Sequence, residues 1–183
     1  MHTLMLSRGP RFLALFILVN ALVACGFQLR GGDNTATVLP DDWKSMALII
    51  GNPNSEFSRE LISRFEVNGV TWKDRSTANY TLIVGGERFQ QRNLSLNSEA
   101  RAAEFELTMS ANFSVRAADG SIAIAETEAS VFKQMENDPR NVVGKSEEIR
   151  LVRSEMRVEL AQQIMRRVGF FAASTQNTNS DPG

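Results

Sequence analysis

Histidine is missing from this chain after its second residue. His2 is the only one, and Cys25 is the only cysteine. If residues 1–24 are a removable leader, what remains has no imidazole and no thiol free for a disulfide. That excludes Cys/His metal centres, Ser-His-Asp and Cys-His nucleophile systems, and histidine general bases. Carboxylate pairs and a Ser-Lys pair survive, but nothing in the sequence places them together, and an enzyme is not expected. An excess of positive charge is also lacking. Lys and Arg number 20 against 21 Asp and Glu, and Arg8 and Arg11 fall in the leader, which leaves 18 against 21, net −3. No basic stripe of the kind nucleic acid requires remains. Any anionic partner must be met by local cations and not by the overall field.

What the first 25 residues do contain is an address. Arg8 and Arg11 precede an apolar run from Phe12 to Leu22, and no acid occurs ahead of Cys25. A basic start, a short apolar stretch and small residues before a cleavage point predict a secretory signal peptide over residues 1–24. The run is short for a bilayer-crossing helix, which needs roughly 20 apolar residues. Leu22-Val23-Ala24-Cys25 matches a bacterial lipobox, in which the Cys thiol is lipidated and the chain is cut before it. The covalent lipid on Cys25 is then the only prosthetic group expected, and more than one acyl chain makes such an anchor stable. Gly26 follows Cys25 where Asp would favour inner-membrane retention. Its presence predicts an outer membrane location, lipid-anchored, with the body on the periplasmic side.

The mature chain, 159 of the 183 residues, is long enough for one domain with a real core. Residues 25–43, with Gly31-Gly32 and Pro40-Asp41-Asp42, read as a lipidated tether and entry loop. Met46–Ile50 is a short apolar run stopped by Gly51-Asn52-Pro53, which suits a buried strand. Asn54-Ser55 can cap a helix from Glu56 to about Val67, with Phe57, Leu61, Ile62 and Phe65 on one stripe and Asn68-Gly69 as its stop. Tyr80–Val84 reads as a strand. Gly85-Gly86 suggests a bulge or kink, and residues 87–102 read as a long polar loop in which Leu94 and Leu96 continue a strand.

The clearest element is 103–116. Phe105, Leu107, Met109, Ala111, Phe113 and Val115 alternate with Glu104, Glu106, Thr108, Ser110, Asn112 and Ser114, a two-residue period with one buried and one wet face. Asp119-Gly120 makes a tight turn. Ile122–Phe132 returns as the partner, with a bulge near Ala125. After a linker at 137–141, Ile149, Val152, Met156, Leu160, Ile164 and Val168 mark a long helix from about Ser146. Gly169 should end it, and its charges should match the helix dipole through Glu147 and Glu148 at the start and Arg166 and Arg167 at the end. The expected fold class is an α+β two-layer sandwich: a four-stranded mixed sheet with two helices on one face, in the order β-α-β-β-β-α, spanning residues 44–171 as a single domain. Residues 172–183 read as a disordered polar tail.

Other motifs carry little. Gly144-Lys145-Ser146 lacks the earlier glycine of a phosphate loop, since position 139 is Pro. Glu104 with Glu106, and Glu126 with Glu128, lie two apart on strands and read as solvated faces.

Cys25-Gly26-Phe27-Gln28-Leu29-Arg30-Gly31 resembles the start of the mature LPS-assembly lipoprotein family, LptE. The likeness extends as a pattern over nearly all of the mature chain: Val67-Asn68-Gly69-Val70 at the helix exit, Ala103-Glu104-Phe105 opening the strong strand, and Asn137-Asp138-Pro139 before the long helix. The resemblance implies an outer-membrane lipoprotein that plugs and helps assemble the LptD β-barrel and binds lipopolysaccharide. A wet strand face bearing Thr108, Ser110 and Asn112 would suit a polar barrel lumen. The family's lipopolysaccharide-binding lysine carries over to Lys145. Its basic loop residue lands on Ser98, with Arg101 or Arg92 as substitutes. The competing readings are a lipoprotein that binds another envelope component, such as peptidoglycan or a different assembly machine, and a periplasmic enzyme.

Overall fold

The computed structural model describes residues 39–96, 102–136 and 142–179. The expected signal peptide, Cys25, Arg101 and the linker expected at 137–141 lie outside the described residues. The elements run β1 (Ser45–Ile50), α1 (Glu56–Val67), β2 (Thr71–Trp72), β3 (Tyr80–Val84), β4 (Arg88–Leu96), β5 (Ala102–Ala117), β6 (Ile122–Glu136) and α2 (Val142–Asn179). The α+β class and the two helices match expectation, but the sheet has six strands, not four.

One added strand, β2, is a two-residue parallel partner of β1. The other, β4, occupies the stretch expected as a polar loop. β3 pairs with β5 from Val84↔Phe113 to Tyr80↔Ala117, and β4 pairs with β5 from Arg88↔Ser110 onward. Both lie on the β5 edge opposite β6, because β6 is registered along Glu104–Arg116 of the other edge. β3 and β4 therefore form one broken strand. Gly85 and Gly86 sit at the break, where the register slips by one residue, as a bulge requires. β1 pairs in parallel with β3, and every other pairing except β1–β2 is antiparallel.

The alternation of β5 decides the layering. Leu107, Met109, Ala111, Phe113 and Val115 are all fully buried, in one cluster with Phe57, Leu61 and Phe65 of α1 and with Met156, Leu160, Ile164 and Val168 of α2. Both helices thus cover the odd face. Truncating one such side chain, Leu160→Ala for example, removes packing worth about 2–5 kcal/mol. α1 starts as expected: Ser55 Oγ accepts from Ser58 N at 3.0 Å. It stops at Gly69, whose φ of 89° a side chain would strain. Gly120, at φ 87°, makes the β5–β6 turn. The bulge expected near Ala125 is present, since the register steps from Phe113↔Thr127 to Val115↔Ile124.

Two boundaries differ from expectation. α2 does not end at Gly169 but continues to Asn179, into the stretch expected as tail. Gly169 takes no positive φ, and Ala172 is fully buried one turn beyond Val168, so the core stripe runs straight through. The helix also begins at Val142, which places Glu147 and Glu148 in its second turn and Arg166 and Arg167 well short of its last. The expected dipole match is therefore absent. At the other end, Leu39 and Trp43 are core residues, and Trp43 stacks on Tyr80 with ring centroids 4.0 Å apart. The part of the expected tether from Leu39 on is packed.

Candidate functional site

The even face of β5 carries the side chains expected to meet a partner, and neither helix covers it. Directly opposed residues in an antiparallel pair share a face, so this surface is built from Arg88, Gln90 and Arg92 of β4, Glu106 to Asn112 of β5, and Glu128, Ser130, Phe132 and Gln134 of β6. Its centre is Arg88. Nη2 of Arg88 donates to Ser110 Oγ at 3.3 Å, Asn112 Oδ1 at 3.0 Å and Glu128 Oε1 at 2.6 Å. Asn112 Nδ2 donates onward to Glu126 Oε1 at 2.8 Å. The Ser110 hydroxyl, and after it Arg88, holds the Glu128 carboxyl below the usual carboxylate range.

The three residues expected to contact a barrel therefore differ. Ser110 is buried beneath Arg88, and Asn112 is held by Arg88 and Glu126. Thr108 lies between Gln90 and Phe132, with its hydroxyl unbonded among the described residues. Phe132 is 70 % exposed, an aromatic ring on an otherwise polar face.

The cations expected to meet lipopolysaccharide are placed as follows. Arg92 lies opposite Glu106 on β5 and donates from Nε to Glu106 Oε1 at 2.6 Å. That hydrogen bond, with the charge beside it, raises Arg92 and lowers Glu106 from their ordinary pKa values. Only one of the five guanidinium donors is thereby used. Lys145, in the first turn of α2, donates to the carbonyl of Glu136 and pairs with Glu148 at 3.0 Å. Among the described residues its ammonium keeps a third donor. Glu136 is registered with Glu104, one same-face row beyond Glu106, so Arg92 and Lys145 belong to the same end of the β4–β5–β6 arm. Their anchor points are roughly 10 Å apart by strand spacing and rise. Arg101 lies outside the described residues.

Arg88 and Phe132 were not singled out by the sequence as site residues, and Glu128 was read only as part of a solvated strand face. β4 is mostly polar, and its apolar Phe89 is covered from above by Arg153 of α2, whose guanidinium carbon lies 3.7 Å from the ring centroid. Among the described residues no group of three His, Cys, Asp or Glu is placed to hold a metal ion, and no helix is long and apolar enough to cross a membrane.

A mixed sheet with both helices on one face and a hydrogen-bonded polar surface on the other defines a small α+β scaffold of the lipoprotein type seen in solved structures. Lipoprotein B from Shewanella oneidensis shares the fold at a TM-score of 0.63, with 25 % identity over 74 % of this chain and 98 % of that one. Lipoprotein B from Nitrosomonas europaea shares it at a TM-score of 0.66, with 18 % identity over 86 % of this chain and 99 % of that one. The chain belongs to the LptE family, described as lipopolysaccharide-assembly, whose sequence model matches residues 43–168. Relatives named LPS-assembly lipoprotein LptE include that of Photorhabdus laumondii, 26 % identical over 85 % of this chain and 82 % of its own length. That of Yersinia pestis is 28 % identical over 92 % and 79 % respectively.

Proposed function

We propose that this protein is anchored through a lipid on Cys25 to the periplasmic side of the outer membrane. There it plugs and helps assemble an LptD-type β-barrel and binds lipopolysaccharide for insertion at the cell surface. It works by binding alone, with no reaction of its own and no cofactor beyond the lipid. Membership of the family supports the assembly role, and one observation carries the docking surface: the even face of β4–β5–β6 is polar, uncovered by either helix and held in order by Arg88. A partner that presents its own polar wall, as a barrel lumen does, can meet such a face without stranding buried polar groups. Thr108 and its neighbours Ser110 and Asn112 mark the centre of that contact. Lipopolysaccharide phosphates are taken at the end of the arm by Lys145, Arg92 and Arg101 through charge-assisted bonds.

Co-purification is the first test: the lipidated chain should bring down a large outer-membrane β-barrel, and its absence from a stable complex overturns the plug. For the lipid, titration of wild type, Lys145→Asp and Arg101→Asp with lipopolysaccharide at low and moderate salt is decisive. Loss of one charged hydrogen bond, about 1.5–3 kcal/mol, should weaken binding roughly ten- to a hundredfold. Equal binding by both variants with unchanged circular dichroism places the phosphate site elsewhere. Cys25→Ala should leave precursor that takes up no labelled palmitate.

A further inference from the structure

β6 is an edge strand, and its outer edge is neither wholly protected nor wholly open. Gly85 N bonds to the carbonyl of Asn112 at 2.9 Å, so the even residues of β5 turn their backbone groups toward β3 and β4. The even residues of β6, which face them in steady register from Glu128 to Glu136, therefore turn theirs outward. Two of these outward carbonyls are capped by α2: Arg167 Nη1 donates to Glu128 O at 2.7 Å, and Lys145 donates to Glu136 O. Between the caps, the backbone groups of Ser130, Phe132 and Gln134 have no partner among the described residues. No proline or bulge blunts this stretch, although exposed edges are normally defended in such ways.

Beside it runs a groove of 370 Å³ between β6 and α2, lined in part by Ser130, Phe132, Glu159, Gln163 and Arg166. Gln163 Oε1 is buried there with no hydrogen-bond partner. Of the neighbouring cations, Lys133 is paired with Glu155 and Glu159 at 2.8 Å each, and Arg167 is turned to the Glu128 carbonyl. Arg166 has no carboxylate partner among the described residues. Three free backbone positions, one unpaired acceptor and one unpaired cation thus converge on a single strip.

We infer that this strip receives an extended polypeptide segment of a partner, added to β6 as a further strand over residues 130–134. The segment carries an acidic side chain toward Arg166 and a hydrogen-bond donor toward Gln163. Main-chain bonds supply affinity and the alternate side chains supply selectivity, as in strand addition generally. The inference stands apart from the barrel reading, since it uses the edge of the sheet and not its polar face.

The experiment uses the full chain, isotopically labelled. The probe is an end-blocked peptide of alternating valine and threonine with one central aspartate, together with a twin carrying lysine at that place. The aspartate peptide should slow hydrogen exchange at the amides of Ser130, Phe132 and Gln134 and bind about tenfold more tightly than its twin, the factor that 1.4 kcal/mol supplies. Phe132→Pro removes the central outward N–H and should abolish binding, while Phe132→Ala keeps it. Arg166→Glu should reverse the preference between the twins and tests the inference even if the proline variant fails to fold. Protection confined to other amides, or undiminished binding by a folded Phe132→Pro, overturns it. So does protection of the same three amides without peptide in a concentration-dependent dimer, which would assign the strip to a second copy.

Discussion

Nε of Arg157, on α2, donates to both carboxylate oxygens of Glu87, at 2.8 and 3.1 Å, and Nη1 of the same side chain reaches Glu56 Oε2 at 2.5 Å. Glu87 immediately follows the break between β3 and β4, and Glu56 is the first residue of α1, so one guanidinium ties three elements together. It is only 21 % exposed, as is Glu87. Arg157→Leu should destabilise the domain by roughly 1–3 kcal/mol, because two carboxylates are left facing each other without a counter-charge. Urea unfolding measures it. Arg157→Lys should recover only part of the loss, since an ammonium cannot reproduce the forked geometry.

The Arg88 network makes stability depend on acid. Glu128 has a folded pKa below its ordinary value of 4.5. The contribution of this contact is therefore fully present above that value and is lost as pH falls through the lower, folded one. The urea midpoint should be level with respect to this group at neutral pH and decline on acidification below about 4.5. Glu128→Gln should flatten part of that decline. An identical pH profile for both proteins would show that the network does not couple to folding.

Gly51 approaches Gly86 backbone to backbone. A side-chain carbon at Gly51 would lie 3.3 Å from Gly86 N, whereas one at Gly86 would meet nothing within 4 Å. Gly51→Ala should therefore cost about 1 kcal/mol through crowding, and Gly86→Ala close to nothing. Thermal melts of the pair compare them directly.

Thr108→Arg and Asn112→Arg put bulk on the polar face by different routes. Thr108 has a free hydroxyl, so its variant should stay folded within about 0.5 kcal/mol of wild type while the yield of the barrel complex falls. Asn112→Arg also breaks the bonds to Arg88 and Glu126 and should lose stability as well. Unchanged yield from Thr108→Arg would move the docking surface elsewhere.

Where periodicity was strong, the sequence could be read well. β5 announced its two faces, the α1 stripe and its Gly69 stop were where spacing put them, and the phase change near Ala125 gave away the β6 bulge. The first part of β4 was hidden because Arg88, Gln90 and Arg92 alternate with Gln91 and Asn93, and only Leu94 and Leu96 hinted at a strand. Its strand state comes from pairing with β5 and from Phe89 beneath Arg153. Gly169 misled for the opposite reason: a glycine ends a helix only where a positive φ is wanted, and the buried Ala172 kept α2 in register. Of the polar face, the β5 strip was legible and the β4 and β6 strips were not, because cross-strand partners depend on register, which a single chain does not spell out.

The length of β5 has a mechanical consequence. At about 3.4 Å per residue its 16 residues span roughly 50 Å, and the strand is fastened along both edges. One end is paired with Tyr80 at the margin of the core, and the other forms the arm that carries Arg92 and Glu104. The strand thus acts as a gauge that sets how far the arm's cations stand from the body. Adding or deleting two residues in step on β4, β5 and β6 would move the tip by about 7 Å and leave each side chain on its own face. A change of one residue would turn the polar face inward. The reach of this protein can therefore be altered only in two-residue steps, and binding measured across such a ruler series would report the depth at which its partner waits.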